Sequence, residues 1–488
     1  MQERIRHRSP EKAIIQNVLL ILGLVLMLAL NGCYAKIYQL PAHPDKNTPV
    51  FPSMPDQKTL VGVAVSGGGS RAATFAAGAL EALADVRIVR EGKERSVLET
   101  VTHMSSVSGG SLATAYYAMK KPPKSEAVLA QQGLTPTYQQ FFTSFKSDMQ
   151  KNFEWPAFGQ QMLKFRGNNP TKMAYSFAEV WDDEFFNKAT FSGLFEREQR
   201  GDAPRIIFNG TIYNSGRRLA MTTLPPSDFA YDFTAKLSAV LDRKKLMQTK
   251  EGQESLARIE RAKNQFLPQT FEDIQCDHLE LLVSRAVATS ASFPPFVGPV
   301  TYQAEGANNF THVGDGGLFD NLGTETLATL FLNKLKPTHP PDKKGLILVI
   351  DASYPFEVGN ALDTKEKGFE VFKSDPSRIV GIMEERANAY QAMLWISLRA
   401  QGVLLPDYDQ LTLIFLRHTD AEWNEGDSIP TECNKEKYAA EKIKETVRQV
   451  PTLFRITDPC HGALLIASAH KVVAKQRQRI VDFLQKSP

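Results

Sequence analysis

A chain of 488 residues, 42% hydrophobic and 23% charged, is long enough to bury a large core and has the composition of an ordinary globular protein. Its net charge of +3, with no long basic run, gives no case for a nucleic-acid partner. Four cysteines and nine histidines form no cluster at metal-ligand spacing, so no metal site is expected.

At the N-terminus, Arg4, Arg6, Arg8 and Lys12 precede an apolar stretch from Ala13 to Leu30, interrupted only by Gln16 and Asn17. A charged region, an apolar region and then small residues make the pattern of a secretory signal. The stretch ends in Leu30-Asn31-Gly32-Cys33, which resembles a bacterial lipobox, with Asn31 an unusual residue at its position. The expectation is a signal over residues 1–33, with Cys33 lipidated and tethering the body to a membrane of the bacterial cell envelope. The alternative is an uncleaved anchor, because eighteen residues approach the length of a short transmembrane helix. Export permits disulfides, and Cys276, Cys433 and Cys460 allow one pair, for which Cys433–Cys460 is the choice that closes a modest loop.

Prolines at 41, 44, 49, 52 and 55 among polar residues make 34–59 a stiff, unpacked tether by composition. The body then opens on LVGVAVS (60–66), a valine-rich run suited to a strand buried on both faces. RIIFNGT (205–211), GLILVIDAS (345–353) and LTLIFL (411–416) are of the same kind. Helical stretches at 72–85 and 324–336 alternate with them, which predicts an α/β fold around a mostly parallel sheet. A core domain over 60–360 carries two insertions. One, near 120–200, is rich in aromatics; the other, 236–275, is charged and helical. In the first, Phe141, Phe142, Phe145 and Met149 share one helical face, which reads as core, with a lid or acyl-chain groove as the alternative. A C-terminal extension, 361–488, ends in an amphipathic segment at 462–485 that reads as a docking helix.

Three short motifs could carry chemistry. Ser106-Val107-Ser108-Gly109-Gly110 approximates the G-x-S-x-G nucleophile elbow, in which small residues permit a sharp strand-to-helix turn and the helix N-terminus favours developing negative charge. Alone, it is equally a tight turn. Gly67-Gly68-Gly69-Ser70-Arg71 follows the first strand of the body. It fails the phosphate-loop patterns but suits an oxyanion hole, which needs two or more donors aimed at one oxygen. Asp315-Gly316-Gly317 ends a short apolar stretch, where Asp-Gly is otherwise a turn signal.

Together with Ala288–Pro295, these motifs resemble, in order, those of the patatin-like phospholipase family, over roughly residues 60 to 355. The resemblance implies a three-layer sandwich with a mostly parallel central sheet and helical insertions. It makes Ser108 the nucleophile and Asp315 its general base, in a dyad without histidine. The backbone amides of Gly67, Gly68 and Gly69 become the oxyanion hole, with Arg71 supporting the loop. The implied substrate is a membrane phospholipid or lysophospholipid, cleaved through an acyl-enzyme without a metal or cofactor. Ser106, Ser66 and Ala72 depart from the family pattern; all three are small, so the turns are expected to survive. Two alternatives stand beside this reading: a histidine base, for which His103 and His312 flank the motifs, and a lipid-binding envelope protein that keeps the fold without turnover.

Overall fold

The computed structural model describes residues 35–485 apart from 44–47, 54, 56, 91, 168, 232–242, 336–342, 355–381, 383–384, 388, 391–410 and 435–439. Cys33 and the whole 1–33 signal segment therefore lie outside the described residues, as does much of the extension between 361 and 410. Among the described residues, no helix is long and apolar enough to cross a membrane.

The apolar runs become the centre of one nine-stranded sheet. Its first strand in the chain is Ile37–Leu40 (β1) and its second Thr59–Val65 (β2), of which every residue is buried. A hairpin of Arg87–Arg90 (β3) and Lys93–Ser96 (β4) forms a separate small sheet. The main sheet continues with His103–Val107 (β5), Arg205–Ile212 (β6), Arg217–Thr222 (β7), Val300–Ala304 (β8), Thr311–Asp315 (β9), Lys344–Asp351 (β10) and Leu411–Arg417 (β11). Their spatial order is β1-β8-β9-β6-β5-β2-β10-β11, with β7 also paired to β6. From β6 to β11 every neighbour is parallel, and antiparallel pairs occur where β9 meets β6 and β8 and where β7 meets β6. Continuous apolar strands of this kind need cover on both faces.

That cover divides the core in two. Val61, Val63 and Val65 of β2 pack with the helices Gly69–Ala84 (α1) and Gly109–Lys120 (α2), while Leu60 and Ala64 face Leu327, Leu330 and Phe331 of a helix, Thr324–Lys334, on the other side. Alternate residues of one strand thus feed opposite layers, which is the period of a strand expressed as a three-layer sandwich.

The first insertion supplies four helices, Pro136–Asp148 (α3), Glu154–Leu163 (α4), Pro170–Trp181 (α5) and Phe191–Arg200 (α6). Phe141, Phe142, Phe145 and Met149 are buried, with Phe145 stacked on Tyr116 of α2, so this face is core. The second insertion contains Lys250–Phe266 (α7), followed by Val283–Ser290 (α8). Thr324–Lys334 is α9, Ala440–Arg448 α10, and Pro459–Gln485 α11. The docking helix expected at the C-terminus is α11, which lies against α1 so closely that a Cβ on Gly78 would stand 3.0 Å from the Ile466 Cα.

One expectation is corrected. The 34–59 segment is not an unpacked tether, because β1 adds to the sheet edge in parallel with β8 and Phe51 is buried against Phe195 and His278. Its prolines mask the apolar alternation of Ile37 to Leu40, of which Tyr38 and Leu40 are the buried members. Cys433 and Cys460 form the expected disulfide, and Cys276 is the leftover thiol, buried.

Candidate active site

Strand β5 ends at Val107 and helix α2 begins at Gly109, so Ser108 is the whole of the turn between them. Its backbone sits at φ 52°, ψ −121°, a conformation that side-chain-bearing residues adopt only under constraint. The constraint comes from both sides. A Cβ on Gly109 would stand 2.0 Å from the Gly69 carbonyl oxygen, and one on Gly110 2.5 Å from that of Ser66. The elbow and the Gly-rich loop are therefore in backbone contact, and only glycines at 109 and 110 allow it.

Beneath the elbow lies a buried hydroxyl network. The Ser108 amide donates to Ser290 Oγ at 3.0 Å, and Ser290 donates to the Asn209 carbonyl at 2.6 Å while bonding Ser111 Oγ at 2.9 Å. Ser106, standing where the elbow pattern has glycine, bonds Thr114 Oγ1 at 2.7 Å and accepts from Ser111 Oγ at 3.2 Å. The substituted position is thus fully partnered, and the turn survives as expected.

Asp315 is the last residue of β9, opposite Gly210 of β6. Its amide donates to the Ser292 carbonyl at 3.0 Å, two residues beyond the Ser290 that holds Ser108. One stretch, Ser290 to Ser292, thus fixes both candidate residues. Asp315 Oδ1 accepts from the Gly317 amide at 2.8 Å, and Oδ2 is buried without a donor in full hydrogen-bond geometry among the described residues. Burial pushes the carboxyl up to about 7, against smaller lowering by the Gly317 amide and by the Ser108 hydroxyl, which acts on it as a hydrogen-bonding neighbour. The structure therefore brings Ser108 and Asp315 together, with the carboxyl held near neutrality.

The Gly-rich loop meets the elbow edge-on. Gly68 (φ 134°) and Gly69 (φ 58°) both have positive φ. The Gly67 amide is committed, donating to the Asn321 carbonyl at 2.8 Å. Of the three amides expected to face an oxyanion, this one is accordingly withdrawn, and Gly68 and Gly69 remain. Arg71 is buried, donating to the carbonyls of Ala352 at 2.8 Å and Val450 at 2.6 Å. It braces the loop from behind. Ser66, where an acidic residue is common, accepts from the Ala352 amide at 2.8 Å and so ties the loop to the end of β10.

Neither histidine reaches the pair. His103 begins β5, about 16 Å of strand away from the turn. Its Nδ1 is 2.7 Å from Thr102 Oγ1, its ring packs edge-on to Phe331, and burial holds it neutral, well below the usual histidine range. The His312 Nδ1 is 2.9 Å from Thr301 Oγ1. Sequence reasoning missed Ser290, Ser292, Asn209 and Asn321. The first two lie inside the Ala288–Pro295 motif, where a serine spaced by two was the available signal; the asparagines sit in ordinary strand and turn contexts.

A serine at the N-terminus of a helix, next to a carboxyl poised near pH 7 and backed by free-standing loop amides, has the parts of an acyl-transfer site. No group of three or more potential metal ligands occurs among the described residues. Among solved structures, the human GIVD cytosolic phospholipase A2 in complex with methyl gamma-linolenyl fluorophosphonate and terbium chloride aligns over 89% of this chain and 60% of its own, at 13% identity and a TM-score of 0.43. VipD from Legionella pneumophila aligns over 88% of this chain and 68% of its own, at 12% identity and a TM-score of 0.28. The chain thus spans about three fifths of the length of the human chains it matches. No match is found among curated protein sequences. The family model for patatin-like phospholipase matches residues 63–328, more than half of the chain and inclusive of Gly67–Gly69, Ser108 and Asp315, and the chain accordingly belongs to the patatin-like phospholipase family.

Proposed function

We propose that the protein is a membrane-tethered serine acylhydrolase that cleaves acyl esters of phospholipids or lysophospholipids through Ser108 and Asp315. The observation that carries this reading is the pairing of a strained serine turn with a carboxyl raised to about 7. An ordinary aspartate, near 3.9, is too weak a base for a serine hydroxyl; one near 7 is matched to neutral pH.

In the first half-reaction the Ser108 Oγ bonds to the acyl carbon as its proton passes to Asp315 Oδ2. The carbonyl oxygen becomes an oxyanion, for which the amides of Gly68 and Gly69 and the N-terminus of α2 are the donors. Collapse of the intermediate breaks the ester bond, and the departing alcohol or lysolipid oxygen takes the proton back from Asp315. Water then gives a proton to the same carboxylate, attacks the acyl-enzyme and releases the fatty acid, and Ser108 regains its proton. The tether would be Cys33, lipidated, as the sequence pattern suggests.

The test is hydrolysis of a series of acyl esters, from short p-nitrophenyl esters to phospholipid vesicles, by the full chain and by Ser108→Ala and Asp315→Asn. Both variants are expected to lose on the order of 10³-fold or more in rate. A protein that binds lipid but turns over no ester would overturn the hydrolase reading in favour of a lipid-binding module.

A further inference from the structure

Helix α4 is built inside out. By helical spacing Trp155, Phe158 and Met162 share one face, and Ala157 and Gln161 lie on the other. The inward face carries the amide: Gln161, 1% exposed, donates to the Asn169 carbonyl at 3.0 Å and accepts from Ser176 Oγ at 2.8 Å. The outward face is apolar, with Trp155 66%, Phe158 47% and Met162 60% exposed, followed by Leu163 at 76% and Phe165 at 59%. The rings of Trp155 and Phe158 pack edge-on against each other on the surface. Contiguous exposed aromatics and aliphatics on this scale mark a surface that something covers.

Three neighbours identify the cover. The chain enters the body beside this helix: Lys36 lies over the Tyr175 ring of α5 at 4.3 Å. Three positions separate it from Cys33, the residue proposed above to carry the lipid, so the tether joins the chain within at most about 11 Å of Lys36. Charge is the second. Burial first, and then the charges of Arg166, Arg285 and Lys164, lower the Lys36 pKa, while Glu179, bridged to Lys164 at 2.8 Å and Arg166 at 2.7 Å, opposes them. Arg166 is buried in its pairing with Glu179, which leaves Lys36, Lys164 and Arg285 beside it as the cations that suit anionic headgroups. The third is continuity with the site. The Gly298 amide donates to the carbonyl of Pro170, the first residue of α5, at 2.8 Å, and Phe296, two residues earlier, is 63% exposed. That loop begins at the Ser290–Ser292 stretch holding Ser108 and Asp315.

We propose that the outer face of α4, with Phe165 and Phe296, inserts into the surface of an anionic lipid bilayer and turns the Ser108 site towards it. This deepens, and rests on, the lipid-hydrolase reading above.

The experiment uses the full chain reconstituted in phosphatidylcholine–phosphatidylglycerol vesicles whose acyl chains carry nitroxide quenchers. Tryptophan fluorescence is expected to be quenched, and the quenched component to be missing in Trp155→Phe. In a Phe158→Asp/Leu163→Asp variant, the ratio of vesicle turnover to turnover of a soluble short-chain ester is expected to fall at least tenfold. Trp155 fluorescence indifferent to the quencher, or an unchanged ratio, would overturn the proposal. So would a dimer that the double variant dissociates, since the face would then be covered by a second copy. If the unaltered chain hydrolyses neither ester while Trp155 is quenched, docking stands and the hydrolase reading fails.

Discussion

The Ser70 amide donates to the Leu453 carbonyl at 2.7 Å, joining the first turn after the Gly-rich loop to a segment nearly four hundred residues later. The contact is close: a Cβ on Gly69 would stand 2.4 Å from the same oxygen. Arg71 donates to Val450 in the same segment, and Phe454 is held in turn by α4, its carbonyl accepting from the Phe153 amide and its amide donating to Glu154. The loop that faces the serine is therefore set by the C-terminal extension as much as by β2. Replacing Arg71 by Met, similar in length but without donors, strips two buried carbonyls, at about 1–3 kcal/mol for each. Ester turnover is expected to fall by tenfold or more with the global fold retained, as circular dichroism would show; unchanged turnover would mean that the loop keeps its shape without this brace.

Asp315 makes a pH prediction whose sign is fixed. The carboxylate is the active form, so kcat/KM should rise with pH through an apparent pKa near 7 and level off above it. Stability runs the other way. A carboxyl whose folded pKa exceeds its unfolded value contributes stability that is present below about 4 and lost as pH rises through about 7. The Asp315→Asn variant should then unfold at a higher temperature than the unaltered chain at pH 8.5 and near the same temperature at pH 4. A pH–rate profile flat between 5 and 8 would remove Asp315 as the base.

Glu198 separates the two effects. It is buried, accepts from the Ile206 amide at 2.9 Å and from Thr223 Oγ1, and burial raises its carboxyl to about 7, yet it makes no contact with the dyad. Glu198→Gln should raise the thermal midpoint above pH 7, by the same linkage, while the pH–rate profile stays where it was. A shift of the kinetic pKa in this variant would show that the two carboxyls are coupled.

How far the sequence carried this depends on what a residue's role requires. The turns at Ser108 and Asp315 stood out through Gly109, Gly110, Gly316 and Gly317, but each alone reads as a plain turn, and only the order of four motifs resembling one family paired the two residues. The central strands were legible because burial on both faces leaves no polar positions in Val61–Val65 or Leu346–Ile350. The sheet edge at Ile37–Leu40 was not: four residues with two facing inward are too short a pattern to stand out beside five prolines. Nor could the Gly67 amide be assigned, since its partner, Asn321, is brought to it by tertiary folding from 254 positions along the chain.

The Ser106 position tests whether departure from a motif matters. Changing it to glycine restores the usual elbow but takes one buried partner from each of Thr114 and Ser111, which keep only the Ser111 carbonyl and Ser290 Oγ respectively. The expected outcome is a loss of about 1–2 kcal/mol in stability with no gain in turnover. Gly109→Ala, by contrast, drives a methyl into the Gly69 backbone, which cannot move aside like a side chain, and should abolish turnover. Higher activity in Ser106→Gly would mean that the serine limits the turn after all.

The disulfide closes the argument between extension and site. Cys433–Cys460 spans 27 residues, and inside that loop lie α10 and the 450–454 segment seated on the Gly-rich loop. Cross-linking a loop of this length lowers unfolded-chain entropy by about 3–4 kcal/mol at 25 °C in the chain-entropy account. Cys433→Ser/Cys460→Ser should therefore lower the unfolding free energy by an amount of that order, which denaturant titration measures. If the bridge also holds the segment against Ser70, turnover at moderate temperature should fall before the sheet melts. Loss of activity that tracks global unfolding throughout would confine the disulfide to stability and leave the seating of Leu453 to its own contacts.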